Sequence, residues 1–213
     1  MVNVKNLPKG TIILFISFII LIIAIYFLRV PAKQSIPQEL IAVLRPLATP
    51  IQPFTLTDQN KNVFTEKNIT GKWSMLFFGY THCPDVCPTT LHTLQKINKS
   101  LQKNAIITSK MQTIFVSVDP ERDKPDILKK YTQYFNKDFI ALTGENENLH
   151  RFIKQFAAAY IKEPPTASGE YLISHTGSIF LVDPKMRIVA SFSPPHNAKT
   201  IVSQFLKIQN IYQ

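Results

Sequence analysis

Two cysteines, Cys83 and Cys87, have three residues between them in the segment CPDVCP and are the only cysteines of the 213-residue chain. Proline is tolerated in the first turn of a helix, but it pushes the residue before it out of the helical region. We therefore expect Pro88 to be the first helical residue, with both cysteines on the loop before it. A helix N-terminus stabilises thiolates and lowers the pKa of a cysteine. The pair is predicted to react or to bind a metal; an inert disulfide or two buried thiols is the alternative.

The topology of a sheet can bring a histidine and a carboxylate close to the two cysteines. Apolar runs predict buried strands over 73–80, just before the cysteines, and over 113–118, which ends at Asp119. His175 precedes a further predicted strand over 178–182, whose start meets the ends of the first two if it runs antiparallel to them. Two thiolates and one imidazole are a soft set of three donors that suits copper, whereas structural zinc usually takes four.

Other candidates for this site have simpler interpretations. Asp119 precedes Pro120 and is more typical of a turn than of a metal ligand. His82 is next to Cys83 and is either an auxiliary ligand or directed away from the site. Three histidines on predicted helix or loop faces have no obvious partner and are interpreted as structural: His92, His150 and His196.

The elements that must position these residues alternate between strand and helix patterns. A turn-like Asp58-Gln59-Asn60 between apolar residues predicts a small hairpin ahead of the main sheet. Apolar residues at helical spacing predict helices around 91–101, 127–135, 149–156 and 201–206, and further strands are predicted at 139–142 and 188–192. This order predicts an α/β fold in which helices flank a central mixed sheet, with an N-terminal hairpin.

The N-terminal part of the chain has a different composition. Residues 11–28, TIILFISFIILIIAIYFL, carry no charge and are enough to cross a bilayer core. Five prolines between residues 30 and 54 favour an extended tether. The predicted organisation is an N-terminal segment over 1–10, a transmembrane anchor over 11–28, a tether over 29–50 and a folded domain over 51–213. A long signal sequence cleaved near Val30 and Ala32 is the alternative.

The charge pattern limits the partners and the orientation. The net charge is +10, but no Lys/Arg block is interleaved with aromatic residues, so a role in binding nucleic acid has little support. Lys5 and Lys9 on one side of the apolar run nearly balance Arg29 and Lys33 on the other. The prediction of a single-pass protein with its folded domain on the exported, periplasmic or equivalent side therefore rests on the placement of the domain after one N-terminal anchor.

Three segments, FFGYTHCPDVCPTTL, SVDPERD and SHTGSIFLVDP, resemble the Sco/SenC family of copper chaperones for cytochrome c oxidase assembly. The resemblance covers roughly residues 53–206 and implies a thioredoxin-like fold. It also implies that Cys83, Cys87 and His175 bind a copper ion, Cu(I) or Cu(II). The implied role is to deliver copper to the copper-centre subunit of the oxidase, or to reduce the thiols of that centre.

This role requires a copper donor and a thiol reductant as further partners. The sequence departs from the family pattern at two positions beside the predicted ligands. The family often has an acidic residue before the histidine, where this chain has Ser174, and often an aromatic residue where this chain has His82.

A thiol-disulfide oxidoreductase, thioredoxin-like or peroxiredoxin-like, would use the same cysteine pair as nucleophile and resolving thiol. Redox motifs of the C-x-x-C type have two intervening residues, whereas Cys83 and Cys87 have three. His175 stands in place of the Thr-Pro pair that faces the thiols in thioredoxins. Both features favour metal binding, and the enzyme remains the main alternative.

Overall fold

A computed structural model describes residues 9–29, 36–102, 110–167 and 169–212 of the chain, without the side chains of residues 9 and 27–29. The strands are β1 Leu44–Pro50, β2 Thr55–Asp58, β3 Val63–Thr65, β4 Trp73–Gly79, β5 Met111–Ser117, β6 Ile140–Thr143, β7 Tyr160–Lys162, β8 Ile173–His175, β9 Ile179–Val182 and β10 Arg187–Phe192. The helices are α1 Lys9–Arg29, α2 Gln38–Ile41, α3 Val86–Leu101, α4 Pro125–Phe135, α5 Asn146–Gln155 and α6 Ala198–Tyr212, with a short 3-10 turn at Glu66–Asn68.

Eight strands form one mixed sheet in the order β1-β10-β9-β4-β5-β6-β2-β3. The three central strands β4, β5 and β6 are parallel, and the pairings outside them are antiparallel. Parallel strands need long crossovers, which α3 and α4 provide. The predicted mixed sheet with an N-terminal hairpin, β2–β3, is confirmed.

The core lies on both faces of this sheet. All seven residues of β4 are buried, which explains why its sequence is a continuous apolar run rather than an alternating one. Neighbouring residues of a strand point to opposite faces. Trp73 packs edge-on against Phe205 of α6, and Phe78 packs against Phe152 of α5. Helices therefore cover the sheet on both sides.

The edge of the sheet at which β4 and β5 end is where the predicted site must assemble. Gly79 is paired with Ser117 there, so both parallel strands end at the same level. β9 runs antiparallel to β4, and its first residue Ile179 pairs with Phe77. The strand that follows His175 therefore runs antiparallel to β4, which is the condition for His175 to lie at this edge.

The folded unit begins earlier than predicted. The predicted tether over 29–50 is corrected for residues 38–50, which contain α2 and β1, while residues 30–35 lie outside the described part of the chain. β1 pairs with β10, and Leu40 is fully buried. A second element that the sequence did not predict is the two-stranded sheet β7–β8, which ends at His175.

The segment Met1–Pro37 forms a unit separate from the unit Gln38–Gln213. Within it, α1 covers Lys9–Arg29, and the apolar side chains described there are exposed. Over the side chains that the structure describes, no helix is both long enough and apolar enough to cross a membrane. The anchor over 11–28 remains a prediction.

Candidate metal and thiol site

Cys83, Cys87 and His175 converge at the predicted edge of the sheet. One donor atom from each, two Sγ atoms and an imidazole nitrogen, lie within 4.8 Å of one another. The Sγ atom of Cys87 is 3.3 Å from Nε2 of His175. Cys87 is buried, whereas Cys83 and His175 are partly exposed. The group is therefore accessible from one side, with Cys87 at its base.

The two cysteines straddle the start of α3, which begins at Val86 rather than at Pro88 as predicted. Pro88 still lies in the first turn, where backbone N–H groups have no partner within the helix and a missing N–H costs little. The N–H of Cys87 is one of these groups, and it donates to Sγ of Cys83 at 3.4 Å. The helix start thus holds the sulfur of Cys83 directly.

Gly79, the last residue of β4, allows Cys87 to approach the sheet. A Cβ atom at this position would lie 2.7 Å from Sγ of Cys87 and 2.8 Å from the ring of Phe115. Both distances are shorter than van der Waals contact. The strand must therefore end in a residue without a side chain for the sulfur to lie where it does.

His175 is oriented by its other nitrogen and by two aromatic rings. Nδ1 lies 3.2 Å from the carbonyl oxygen of Thr176, which can only accept a hydrogen bond. Nδ1 therefore carries the hydrogen in the neutral ring, and the lone pair of Nε2 faces Cys87. The rings of Phe77 and Tyr80 make edge contacts with the imidazole, both with centroids at 5.9 Å.

The two thiols differ in ionisation. A hydrogen bond from the Cys87 thiol, helped by the backbone N–H groups of Cys87 and Asp85, lowers the pKa of Cys83 to about 4 against the effect of burial. The same hydrogen bond and burial raise the pKa of Cys87. At neutral pH the pair shares one proton, with the thiolate on the more exposed sulfur.

Asp123 is a functional candidate that sequence reasoning missed. It is fully buried and accepts hydrogen bonds from the Thr81 N–H (3.0 Å), the Thr81 hydroxyl (2.5 Å) and the Ser117 hydroxyl (2.6 Å). Burial raises the pKa of this carboxyl group. Asp123 thereby ties the cysteine loop to the end of β5. Asp123 lies in SVDPERD, one of the three segments that carry the family resemblance, and this location is the sequence feature that could have identified it.

The other candidates lie outside the group of three. Asp119, interpreted from the sequence as a turn residue rather than a ligand, does not join the three donors; its carboxylate contacts Arg122 at 2.5 Å and the Tyr171 hydroxyl at 2.9 Å. The exposed His82 contacts the Thr81 hydroxyl. Neither His92, His150 nor His196 belongs to a potential metal cluster among the described residues.

Comparison with known proteins identifies the family. The SCO1/SenC family model matches residues 45–210, which is more than half of the chain. The chain belongs to the SCO1/SenC family. A protein of Stutzerimonas stutzeri is 37% identical to this SCO1/SenC protein over 152 residues, 71% of this chain and 73% of its own length.

Two solved structures share the fold of this SCO1/SenC protein. ScoI of Bradyrhizobium japonicum, solved with copper bound, is 35% identical with a TM-score of 0.67 and covers 74% of this chain and 98% of its own. BsSco, described as a member of the Sco family of cytochrome c oxidase assembly proteins with a disulfide switch, is 27% identical with a TM-score of 0.60, covering 76% and 95%. The thioredoxin-like fold that the resemblance implied is confirmed.

Proposed function

We propose that this chain binds one copper ion through Cys83, Cys87 and His175 and serves the assembly of the copper centre of cytochrome c oxidase. The observation that carries the proposal is the convergence of two thiol sulfurs and an imidazole with a free lone pair in a member of the SCO1/SenC family. Membership of this family supports copper over other metals, as does the softness of the donors.

The spacing of the donors is suited to a single transition-metal ion. Ligands bound to one ion at about 2.0–2.3 Å stand at most about 4.6 Å apart. The three donor atoms lie within 4.8 Å, and two of them are 3.3 Å apart. Small side-chain movements would therefore close the site around an ion, and Cys83 already has the thiolate character that a ligand needs.

The exposure of the site supports delivery rather than storage. Cys83 and His175 are partly exposed, so thiols of a target protein can approach an ion held between them. The target that we propose is the copper-centre subunit of the oxidase. A copper donor must load the site, and a thiol reductant must keep the cysteine pair reduced, because exported compartments oxidise thiols.

The proposal includes attachment to a membrane through residues 11–28, with the folded domain on the exported side. Its support is the uncharged apolar run of 18 residues in the sequence. Attachment would keep the copper site near an oxidase subunit that is itself in the membrane.

Anaerobic copper titration of the reduced protein tests copper binding. We expect one copper ion per chain, and strong weakening in Cys83→Ala, Cys87→Ala and His175→Ala, because a site with three donors has none to spare. His92→Ala is the matched control, since His92 contacts Tyr134 and Phe135 away from the site. Wild-type affinity in His175→Ala would remove His175 from the ligand set.

A thiol-disulfide reductase is a second candidate, favoured by the asymmetry of the pair. Cys83 is a partly exposed thiolate suited to attack a target disulfide, and the buried Cys87 would resolve the mixed disulfide. The pair would then end oxidised, with its two electrons in the two thiols of the target. Disulfide reduction that survives in His175→Ala while copper binding is lost would separate this activity from metal binding.

A further inference from the structure

The third donor of the site stands on a different element from the first two. Cys83 and Cys87 follow β4 directly and are held by the start of α3. His175 is the last residue of β8, which, among the strands that the structure describes, pairs with β7 alone in a two-stranded sheet apart from the main sheet. The position of the imidazole relative to the sulfurs therefore depends on what fixes this small hairpin.

One cluster, formed by Asp119, Arg122 and Tyr171 and here termed the clamp, fixes the chain just before β8. Nη1 of Arg122 donates to the Tyr171 carbonyl oxygen at 3.0 Å, and its guanidinium carbon lies 3.6 Å from the centre of the Tyr171 ring. Nε of Arg122 contacts Asp119 at 2.5 Å. The Tyr171 hydroxyl donates to the second oxygen of Asp119 at 2.9 Å. The main chain and the ring of Tyr171 therefore contact Arg122, and its hydroxyl contacts Asp119.

The ion pair between Asp119 and Arg122 in the clamp is largely shielded from solvent. Asp119 is only 3% exposed and Arg122 21% exposed, so this ion pair is screened less than a surface pair. The more exposed ion pair of Lys162 with Glu121 lies beside it and contributes little by comparison. Two residues further on, the Ile173 N–H donates to the Tyr80 hydroxyl at 3.1 Å. Two attachments thus precede His175 within four residues.

We propose that the clamp holds His175 in position beside Cys87 and thereby sets the affinity of the site for Cu(II) relative to Cu(I). This inference rests on the proposed copper function. Thiolates are the preferred ligands of the soft Cu(I) ion, whereas Cu(II) depends more on nitrogen donors. Without the clamp the hairpin carries the imidazole away from Cys87, and Cu(II) binding falls further than Cu(I) binding, for which the cysteine pair still supplies two thiolates.

The test uses Arg122→Met, which keeps the apolar stem but removes the charge and the hydrogen bonds, and Tyr171→Phe, which removes only the hydroxyl. Arg187→Met is the matched control: Arg187 also pairs with a buried aspartate, Asp183, and lies near a tyrosine ring, but at the opposite edge of the sheet. All variants are titrated with Cu(I) anaerobically and with Cu(II), and nitrogen coupling to Cu(II) is followed by electron paramagnetic resonance.

For Arg122→Met we expect Cu(II) affinity to fall by about 10–100-fold, as is typical when a group that orients a ligand is removed. The nitrogen coupling should be lost, and Cu(I) affinity should fall much less than Cu(II) affinity. Tyr171→Phe should show a smaller change in the same direction, and Arg187→Met none. Equal losses of Cu(I) and Cu(II), or a wild-type Cu(II) spectrum in Arg122→Met, would overturn the proposal. Should Arg122→Met fail to fold, Tyr171→Phe decides by the same criteria.

Hydrogen exchange of the metal-free protein separates this inference from the copper function. We expect the backbone amides of residues 173–176 to exchange faster in both clamp variants than in the wild type or in Arg187→Met. Unchanged exchange would overturn the clamp even if copper binds. A wild-type protein that binds neither form of copper would refute the proposed function, while the exchange result would still decide whether the clamp positions the hairpin.

Discussion

At the scale of single residues, Cys83 and Cys87 share one proton, which predicts how their reactivity depends on pH. The pKa of Cys83 is lowered to about 4, chiefly by the hydrogen bond from Cys87. Alkylation by iodoacetamide should therefore modify Cys83 alone at pH 6, at a rate that stays nearly constant up to pH 8 and falls only as the pH approaches about 4. Mass spectrometry after timed quenching measures both the site and the rate.

The variant Cys87→Ala supplies the control for this assignment. Removing the thiol that donates to Cys83 removes the largest cause of the lowered pKa, so the pKa of Cys83 should rise towards its usual value of 9.0. Alkylation at pH 6 should then slow markedly and regain the ordinary rise with pH. An unchanged rate in Cys87→Ala would show that the helix start, rather than the sulfur pair, stabilises the thiolate.

A second residue-scale prediction concerns Gly79. In Gly79→Ala the new Cβ atom would lie 2.7 Å from the Cys87 sulfur, so the sulfur or the strand must shift. We expect unfolding to become easier by about 1–3 kcal/mol, as in other overpacked cores. Copper affinity should fall at least about tenfold, because the sulfur leaves its position relative to His175. Chemical denaturation and copper titration measure the two effects.

Gly177→Ala is the matched control for Gly79→Ala. A Cβ atom at Gly177 would meet its nearest neighbours, Pro194 and Val86, at 3.6 and 3.8 Å, which are ordinary contact distances. This glycine also lies close in sequence to His175, so general disturbance near the site would affect both variants. If both variants lose copper equally, the contact with the Cys87 sulfur does not explain the loss.

The residues that we propose as ligands could be brought together from the sequence, whereas the residues that support them could not be found there. Cysteine and histidine are scarce here, and the order of strands brought Cys83, Cys87 and His175 to one edge. Asp123 and Arg122 act through partners 42 and 49 residues away, Thr81 and the Tyr171 carbonyl. Such pairings depend on side-chain directions that no local pattern encodes.

At the scale of elements, continuous apolar runs predicted buried strands reliably, whereas the largely exposed strands β1 and β7 were missed. The runs that became β4, β5 and β9 are buried on both faces, so their composition alone predicts them. β1 contains two prolines and is mostly exposed, and β7 has only three residues. β1 is held by pairing with β10 and β7 by pairing with β8, and such pairings belong to the tertiary structure rather than to the local sequence.

An element-scale prediction tests the unexpected role of residues 38–50. Leu40 is fully buried although it lies in the predicted tether, and Leu47 in the same segment is 82% exposed. We expect Leu40→Ala to lower the free energy of unfolding by about 2–5 kcal/mol, as for other buried leucines. Leu47→Ala should change it by less than about 0.5 kcal/mol. Equal, small effects in urea denaturation would mean that this segment does not contribute to the folded unit.

At the scale of the whole molecule, the proposed copper site and the proposed membrane segment belong to two units of the chain, Gln38–Gln213 and Met1–Pro37. The site is built entirely within Gln38–Gln213, so copper binding should not depend on residues 1–37. The role of the N-terminal unit would then be to determine where the copper site works. This division allows attachment and copper chemistry to be tested independently in the full chain.

The whole-molecule prediction is that the full chain stays with the membrane fraction after carbonate washing. An aspartate near the centre of a membrane helix costs about 2.5–3.5 kcal/mol, so Ile16→Asp combined with Ile20→Asp should release the protein or block its insertion. Ile36→Asp with Leu47→Asp is the control, because both positions are exposed and lie outside residues 11–28. Thiol labelling in intact cells should reach Cys83 from the exported side. Recovery of a soluble, shortened chain beginning near Lys33 would show a cleaved signal sequence instead, and labelling only from the cytosolic side would reverse the orientation.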